Sequence, residues 1–349
     1  HCNDWQTALV PVYLLEEKYR IPQLGSTKTV FTIHNIEYQG RYGDQVLEDV
    51  IGLDRSYFNE GMLAYHRDVN LMKGAIMASS FVTTVSPTYA QELRTPFYAH
   101  GLDGVINQQS GKLQGILNGI DTQLYDPAAN PGLACNYTFK TLDKGKAACK
   151  QALQQAVGLQ ENPDVPIIAC VSRLVGHKGF SLVTDALHEM MALNIQMVVL
   201  GTGDWQYEEA FRHAQSQYPG RFAAQLTYSA PLSTMIYAGA DLFLMPSVSE
   251  PCGLSQMIAM RFGTIPVVRE TGGLKDTVTP YNKFDGTGRG FTFSNISAGD
   301  MLWVLREAVD LYHNNKKAWR GLQKESMSAD FSWTNSAKQY LDIYQRILG

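Results

Sequence analysis

The chain has 349 residues, 45% apolar, 18% charged and 11% aromatic, with a formal net charge of -4. That is the make-up of a folded globular protein of two domains' length. The charge balance offers no basic surface for nucleic acid, and no apolar run approaches the roughly 18 residues of a membrane span. Five cysteines (Cys2, Cys135, Cys149, Cys170, Cys252) form no CxxC pair. They argue against a disulfide framework or a zinc knuckle and suit a reducing compartment. No basic segment leads into an apolar one as in a secretory signal, so the sequons at Asn136 and Asn295 read as chance. The chain opens His1-Cys2-Asn3-Asp4-Trp5 without an initiator methionine, as a processed chain or a fragment would.

Short β-rich runs alternate with amphipathic helical stretches, the pattern of an α/β protein built on parallel sheets. Strands are expected at 29–33, 81–85, 166–171, 196–200, 241–245 and 264–268, several of them unbroken Val/Ile/Leu runs suited to burial on both faces. A connection with scattered Pro, Gly and Asn covers 126–164, with a helix over 144–157. Phe180, Val183, Leu187 and Met190 stand at helical spacing on one core-facing stripe. At the end of the chain Ala337, Tyr340, Leu341, Tyr344, Ile347 and Leu348 predict an amphipathic helix that must dock on something.

In an open parallel sheet, ligands bind beyond the carboxyl ends of the strands, where loops meet helix N-termini. Arg173 and Lys178 lie in such a loop and can straddle a diphosphate, or they are solvated surface cations. The run Pro-Ser-Val-Ser-Glu-Pro-Cys-Gly-Leu-Ser, 246–255, follows an apolar strand and opens a helix. Glu250 there can accept bonds from sugar hydroxyls while the amides of Gly253, Leu254 and Ser255 hold phosphate. Its structural alternative is a first-turn carboxylate facing the helix dipole. Thr271-Gly272-Gly273 lets backbone come close to a ligand or makes a tight turn. Gly201-Thr202-Gly203 is an incomplete dinucleotide fingerprint, with Gln206 at its last position. His34 ends a strand and can reach a sugar hydroxyl, or it is a satisfied structural residue. His188-Glu189 lacks the second histidine of a zincin, no Asp-x-Asp is present, and no GxSxG nucleophile elbow occurs.

Taken in order, HCNDWQTALVPVYL, FTIHNIEYQG, TTVSPTYAQE, GILNGID, VSRLVGHKG, PSVSEPCGLSQMIAMRFGTIPVV, TGGLKDTV and DFSW resemble the bacterial glycogen synthases and plant starch synthases. These are retaining transferases that extend α-1,4-glucan from a nucleotide-glucose. The resemblance implies two Rossmann-like domains facing a cleft, the GT-B arrangement. It divides the chain into an acceptor-side domain at 1–145, a donor-binding domain at 146–332 and a terminal helix at 333–349 crossing back. It assigns catalysis to Glu250, Arg173, Lys178 and His34. Substrate contacts fall to Asp4, Asn118, Tyr228, Cys252, Gly253, Leu254, Ser255, Thr271, Gly272 and Gly273. Expected partners are ADP-glucose, with UDP-glucose as the alternative donor, and an α-1,4-glucan, with no cofactor and no metal. A cytoplasmic location is expected, with a plastid as the alternative. Asn3 stands where many relatives carry histidine, and Ser247-Val248-Ser249 replaces the commoner Ser-Arg-Phe. The family's Lys-x-Gly-Gly-Leu loop does not precede His1, so the first domain is expected to be incomplete, with an open sheet edge and activity weakened or lost. Competing readings are a non-catalytic glucan-binding remnant, a nucleotide-sugar epimerase, an NAD-dependent dehydrogenase and a glucan phosphorylase.

Overall fold

The computed structural model describes residues 1–349 and resolves into two compact units, His1–Asn118 with Thr334–Gly349, and Gly119–Trp333. The first unit carries β1 (Cys2–Asn3), β2 (Val30–Ile33), β3 (Arg41–Gly43), β4 (Ala64–Tyr65), β5 (Asp68–Asn70), β6 (Phe81–Thr84) and β7 (Leu113–Gly115). Four of these make a parallel sheet in the order β1-β2-β6-β7. Its buried threonines satisfy one another, Thr32 Oγ1 lying 2.6 Å from Thr83 Oγ1. The small antiparallel sheet β3-β5-β4 is not signalled by the sequence, because its two- and three-residue strands carry Arg41 and Asp68 where an apolar alternation would be read.

The terminal helix, Trp333–Leu348, packs in the first unit against Val30, Phe81 and Ile116. Its docking face is Ile343 with Tyr340, Tyr344 and Ile347. Ala337, Leu341 and Leu348, which the sequence pattern places on that face, are exposed instead. The expected stripe lies about one residue position too far round the helix, and it omits Ile343.

The second unit takes up residues 119–145, which the motif pattern assigns to the first domain. Arg261 fixes that segment by donating to the carbonyls of Tyr125 and Thr122, each at 3.2 Å, and the Tyr137 hydroxyl donates to the Phe262 carbonyl at 2.9 Å. Its sheet holds β8 (Ile167–Val171), β9 (Gln196–Leu200), β10 (Phe222–Gln225), β11 (Leu242–Met245), β12 (Ile265–Arg269) and β13 (Phe291–Phe293). All are parallel, in the order β10-β9-β8-β11-β12-β13. Counted along the chain this is 3-2-1-4-5-6, the doubly wound dinucleotide-fold order. The central strands are buried on both faces, as their apolar runs require. The helix expected at 180–190 breaks at Ala186 into Phe180–Asp185 and Leu187–Met191, yet Phe180, Val183 and Met190 remain buried as predicted. Alanine is no helix breaker, so tertiary packing sets the break.

The strand order reverses between β8 and β11, which run parallel, and a buried ion pair holds those two strands at their amino ends. Lys150 Nζ lies 2.9 Å from Asp241 Oδ2, which also accepts from the Ile167 amide at 2.9 Å, and Lys150 donates to the Tyr312 hydroxyl at 3.2 Å. Removing one partner strands the other charge in a dry site. Lys150→Met is therefore expected to cost about 3–5 kcal/mol in denaturant unfolding, with a share of that recovered in Lys150→Met/Asp241→Leu. No recovery in the double variant would show that the pair is not coupled.

Candidate functional site

The switch in strand order sends the loops after β8 and β11 in opposite directions, which opens a crevice at the carboxyl ends of the strands. The first of these loops is tied to its neighbour after β9. The Ser172 amide donates to Leu200 O (3.1 Å), the Leu174 amide to Thr202 O (2.9 Å) and the Asp204 amide to Leu174 O (2.7 Å). Gly201 and Gly203 have no room for a Cβ because the carbonyls of Ser172 and Leu174 occupy that space. The glycine-x-glycine motif thus serves to bring two loops together and to hold Arg173 between them.

Arg173 lines a cavity of about 280 Å³ with Tyr125, Thr202, Tyr228, Ser229 and Tyr237. Tyr228, 89% exposed, offers its ring from the loop after β10. Burial pushes the Tyr237 hydroxyl up to about 12, so it stays neutral and donates to Ser255 Oγ at 3.0 Å. Ser255 starts the helix Ser255–Arg261. One tyrosine therefore ties the cavity wall to the helix mouth.

Lys178 ends a helical turn, Gly176–Lys178, whose His177 carbonyl accepts from the amides of Val248 (2.9 Å) and Ser249 (3.3 Å). Those bonds bring the loop after β8 against the loop after β11. Across that contact Lys178 Nζ donates to Glu250 Oε2 at 2.6 Å, and Ser247 Oγ donates to the same oxygen at 3.1 Å. Glu250 is buried, its side chain only 8% exposed against 18% for Lys178.

The Glu250 loop is seated by backbone. Gly272, at φ +42, and Gly273 lie where a Cβ would strike the carbonyls of Glu250 and Cys252, and the Gly273 amide donates to Glu250 O at 3.2 Å. The close approach allowed by Thr271-Gly272-Gly273 is thus to the protein's own loop, and all three residues are buried. The Gln256 side chain donates through Nε2 to the carbonyls of Cys252 (3.1 Å) and Gly253 (3.0 Å), while Gly253 turns the chain at φ +69. Cys252 is buried beneath this turn and Leu254 is exposed on it. Buried Arg269, at the end of β12, donates to Ser247 O at 2.7 Å, Val248 O at 2.6 Å and Ser294 O at 3.1 Å.

In the first unit Asp4 and His34 meet. Asp4 Oδ1 accepts from the His34 amide at 2.7 Å, and His34 Nε2 lies 3.0 Å from Asn3 Oδ1. An amide oxygen only accepts, so this pairing puts the ring proton on Nε2. Asp4 holds φ +56 with ψ 179, a backbone region nearly reserved for glycine and costing roughly 1–3 kcal/mol. Asn118, half-buried, closes the unit after β7.

The structure therefore gathers Arg173, Lys178, Glu250, Cys252 to Ser255 and Tyr228 on the loops after β8, β10 and β11 of one sheet, with Thr271 to Gly273 seating the Glu250 loop. Sequence reasoning misses Ser247, Arg269, Tyr237 and Tyr125. An arginine ending an apolar strand is a usable signal for Arg269. Tyr125 sits in an irregular segment with no pattern to mark it. No cluster of three or more His, Cys, Asp or Glu side chains is arranged to hold a metal.

A starch synthase catalytic domain model matches residues 1–108, and a glycosyl transferases group 1 model matches residues 154–319. The glycogen synthase of Geobacillus thermodenitrificans is 48% identical over 349 residues, covering 100% of this chain and 71% of that protein. The chain belongs to the glycogen synthase/starch synthase family. The glycogen synthase of Streptococcus mutans is 47% identical over 99% of this chain and 73% of its own length. Among solved structures, the catalytic domain of Arabidopsis thaliana starch synthase IV, bound to ADP and acarbose, superposes with a TM-score of 0.92 at 39% identity, covering 100% of this chain and 72% of that one. A sucrose-phosphate synthase from Thermosynechococcus elongatus, 18% identical with a TM-score of 0.59, shares the fold. The fold is GT-B and the family is one of retaining glycosyltransferases. These relatives do not favour the epimerase, dehydrogenase, phosphorylase or non-catalytic readings.

Gly273→Ala is expected to push the Glu250 loop outward, at a cost of about 1–3 kcal/mol in stability. Donor KM should rise at least several-fold, measured by initial rates alongside denaturant unfolding. Unchanged KM in a destabilised variant would show that the loop does not need this seat.

Proposed function

We propose that this chain transfers glucose from ADP-glucose to the non-reducing 4-hydroxyl of an α-1,4-glucan, with retention by a same-face route. The observation that carries the reading is the meeting of Lys178 and Glu250, 2.6 Å apart, where the loops after β8 and β11 diverge. The ADP and acarbose held by starch synthase IV support an adenine-nucleotide donor and a glucan acceptor.

In this mechanism the nucleotide occupies the Arg173 cavity with its base against Tyr228. Its diphosphate lies toward Lys178 and the amides of Gly253, Leu254 and Ser255, the first of which have no partner within a helix. Lys178 then exchanges Glu250 for phosphate oxygen, and Glu250 turns its carboxylate to hydroxyls of the transferred glucose. As the bond from the anomeric carbon to the diphosphate breaks, the departing phosphate oxygen takes the proton of the incoming 4-hydroxyl. That hydroxyl bonds to the same face of the sugar, so configuration is kept. Lys178 and Arg173 stabilise the charge that develops on the diphosphate, a contribution of roughly 3–4 kcal/mol per preorganised donor. Double displacement would need a free carboxylate nucleophile about 5–5.5 Å from a partner acid. Glu250 has a lysine and a serine beside it rather than a partner acid.

His34, braced by Asp4 and Asn3, is given a sugar-hydroxyl contact, as is Asn118. The strained backbone at Asp4 supports this, since such strain persists where a site demands it. No helix is long and apolar enough to cross a membrane, and we assign the protein to the cytoplasm on the likeness to bacterial relatives.

Glu250→Ala and Lys178→Ala are each expected to lower turnover with labelled ADP-glucose and glycogen by about 10²–10³-fold, while each variant, although destabilised by the few kcal/mol that breaking a mostly buried pair costs, stays folded at the assay temperature. Parallel losses of folding and activity would refute the assigned roles. UDP-glucose run alongside decides the donor: comparable or faster transfer from it would overturn the adenine assignment.

A further inference from the structure

The second unit has a larger hollow that the donor site does not use. It measures about 620 Å³ and shares no lining residue with the Arg173 cavity. It lies beside Phe291, the first residue of edge strand β13, whereas the donor loops leave the far ends of their strands. Its walls are the turn 280–284 and the outer face of the helix Ala298–Asn314.

That helix buries Met301, Leu302, Val304, Leu305, Ala308 and Val309 on its inner side. On the outer side stand Trp303, Glu307 and Asp310, at the i, i+4, i+7 spacing of one face. The tryptophan is 60% exposed among charged neighbours, where core packing gives it no role. Opposite it, Phe284 is 90% exposed at a turn tip. The turn is braced: the Phe284 amide donates to Asn282 Oδ1 at 3.0 Å, the Thr287 amide to Asp285 Oδ1 at 2.9 Å, and Asn282 Nδ2 to Asp285 Oδ2 at 2.9 Å. A ring carried on a turn stitched in this way is presented with little further backbone entropy to lose.

We infer that this hollow is a second glucan-binding site, distinct from the transfer site. Trp303 and Phe284 supply ring faces for the apolar C–H faces of glucose units. Glu307 and Asp310 accept from hydroxyls, and Asn282 and Asn315 line the same hollow. Two carboxylates against one lysine, Lys283, disfavour an anionic ligand, and the polar rim disfavours an apolar one. A neutral polyhydroxylated chain answers both conditions, and the hollow falls within the usual size range of ligand pockets. The inference rests on the proposed glucan acceptor. A polymer held here raises the effective concentration of its other chain ends without any new contact at the transfer site.

The test is native electrophoresis through gels containing dissolved glycogen, compared with gels containing dextran, together with initial transfer rates to maltotriose and to glycogen. The parent protein should be retarded by glycogen, and Trp303→Ala/Phe284→Ala should lose roughly three- to tenfold in apparent affinity. The double variant should keep the parent's rate on maltotriose while KM for glycogen rises, and Trp303→Tyr should restore much of the retardation. Equal retardation of variant and parent, or no retardation of the parent, overturns the second site. Retardation lost in the variant, with no transfer by either protein to any glucan, keeps this site and overturns the transfer reading instead.

Discussion

A parallel sheet whose strand order reverses once must send the loops on either side of the reversal apart, and in this protein that topological fact selects the residues able to do chemistry. β8 and β11 are neighbours in the sheet although β9 and β10 lie between them in sequence, and the connections that follow them leave toward opposite faces. Arg173, Lys178 and Glu250 hang on the loops so separated. Lys178 and Glu250 close the contact between them with a mostly buried ion pair, which the proposed mechanism opens onto phosphate and sugar.

The support for that contact is built largely from backbone. Glycines at 179, 272 and 273 let main chain lie against main chain, and the Arg269 guanidinium holds three carbonyls of the neighbouring segments. Such scaffolding constrains a charged loop to one conformation and leaves its side chains able to exchange partners. In the first unit the cost is local and visible: Asp4 holds an unfavourable backbone conformation while its carboxylate fixes the amide of His34.

Much of the second unit is legible from sequence because its strands are buried on both faces and are therefore spelled as apolar runs. The expected strands at 196–200 and 241–245 fall within a residue of those observed. Short or half-buried strands escape: β3 and β5 carry charge, β4 has only two residues, and β10 and β13 are edge strands. The helix after residue 333 is visible in the pattern, but its docking face is misplaced because exposed Leu341 and Leu348 are as apolar as buried Ile343. Charged site residues at strand exits can be read by position. For a residue that acts by holding other residues the sequence gives less: an arginine ending an apolar strand marks Arg269, but its role shows only when the carbonyls it grips are known. Tyr125 likewise reaches the cavity from an irregular segment, and Tyr237 from the helix Ala230–Gly239, where it reads as an ordinary core residue.

The most direct measurement is calorimetric binding of ADP and of AMP to the parent and to Lys178→Ala. If the lysine faces the terminal phosphate, the substitution weakens ADP at least tenfold, about 1.4 kcal/mol, and leaves AMP nearly unchanged. Equal weakening of both nucleotides, or of neither, would contradict the placement of the diphosphate at the switch between β8 and β11.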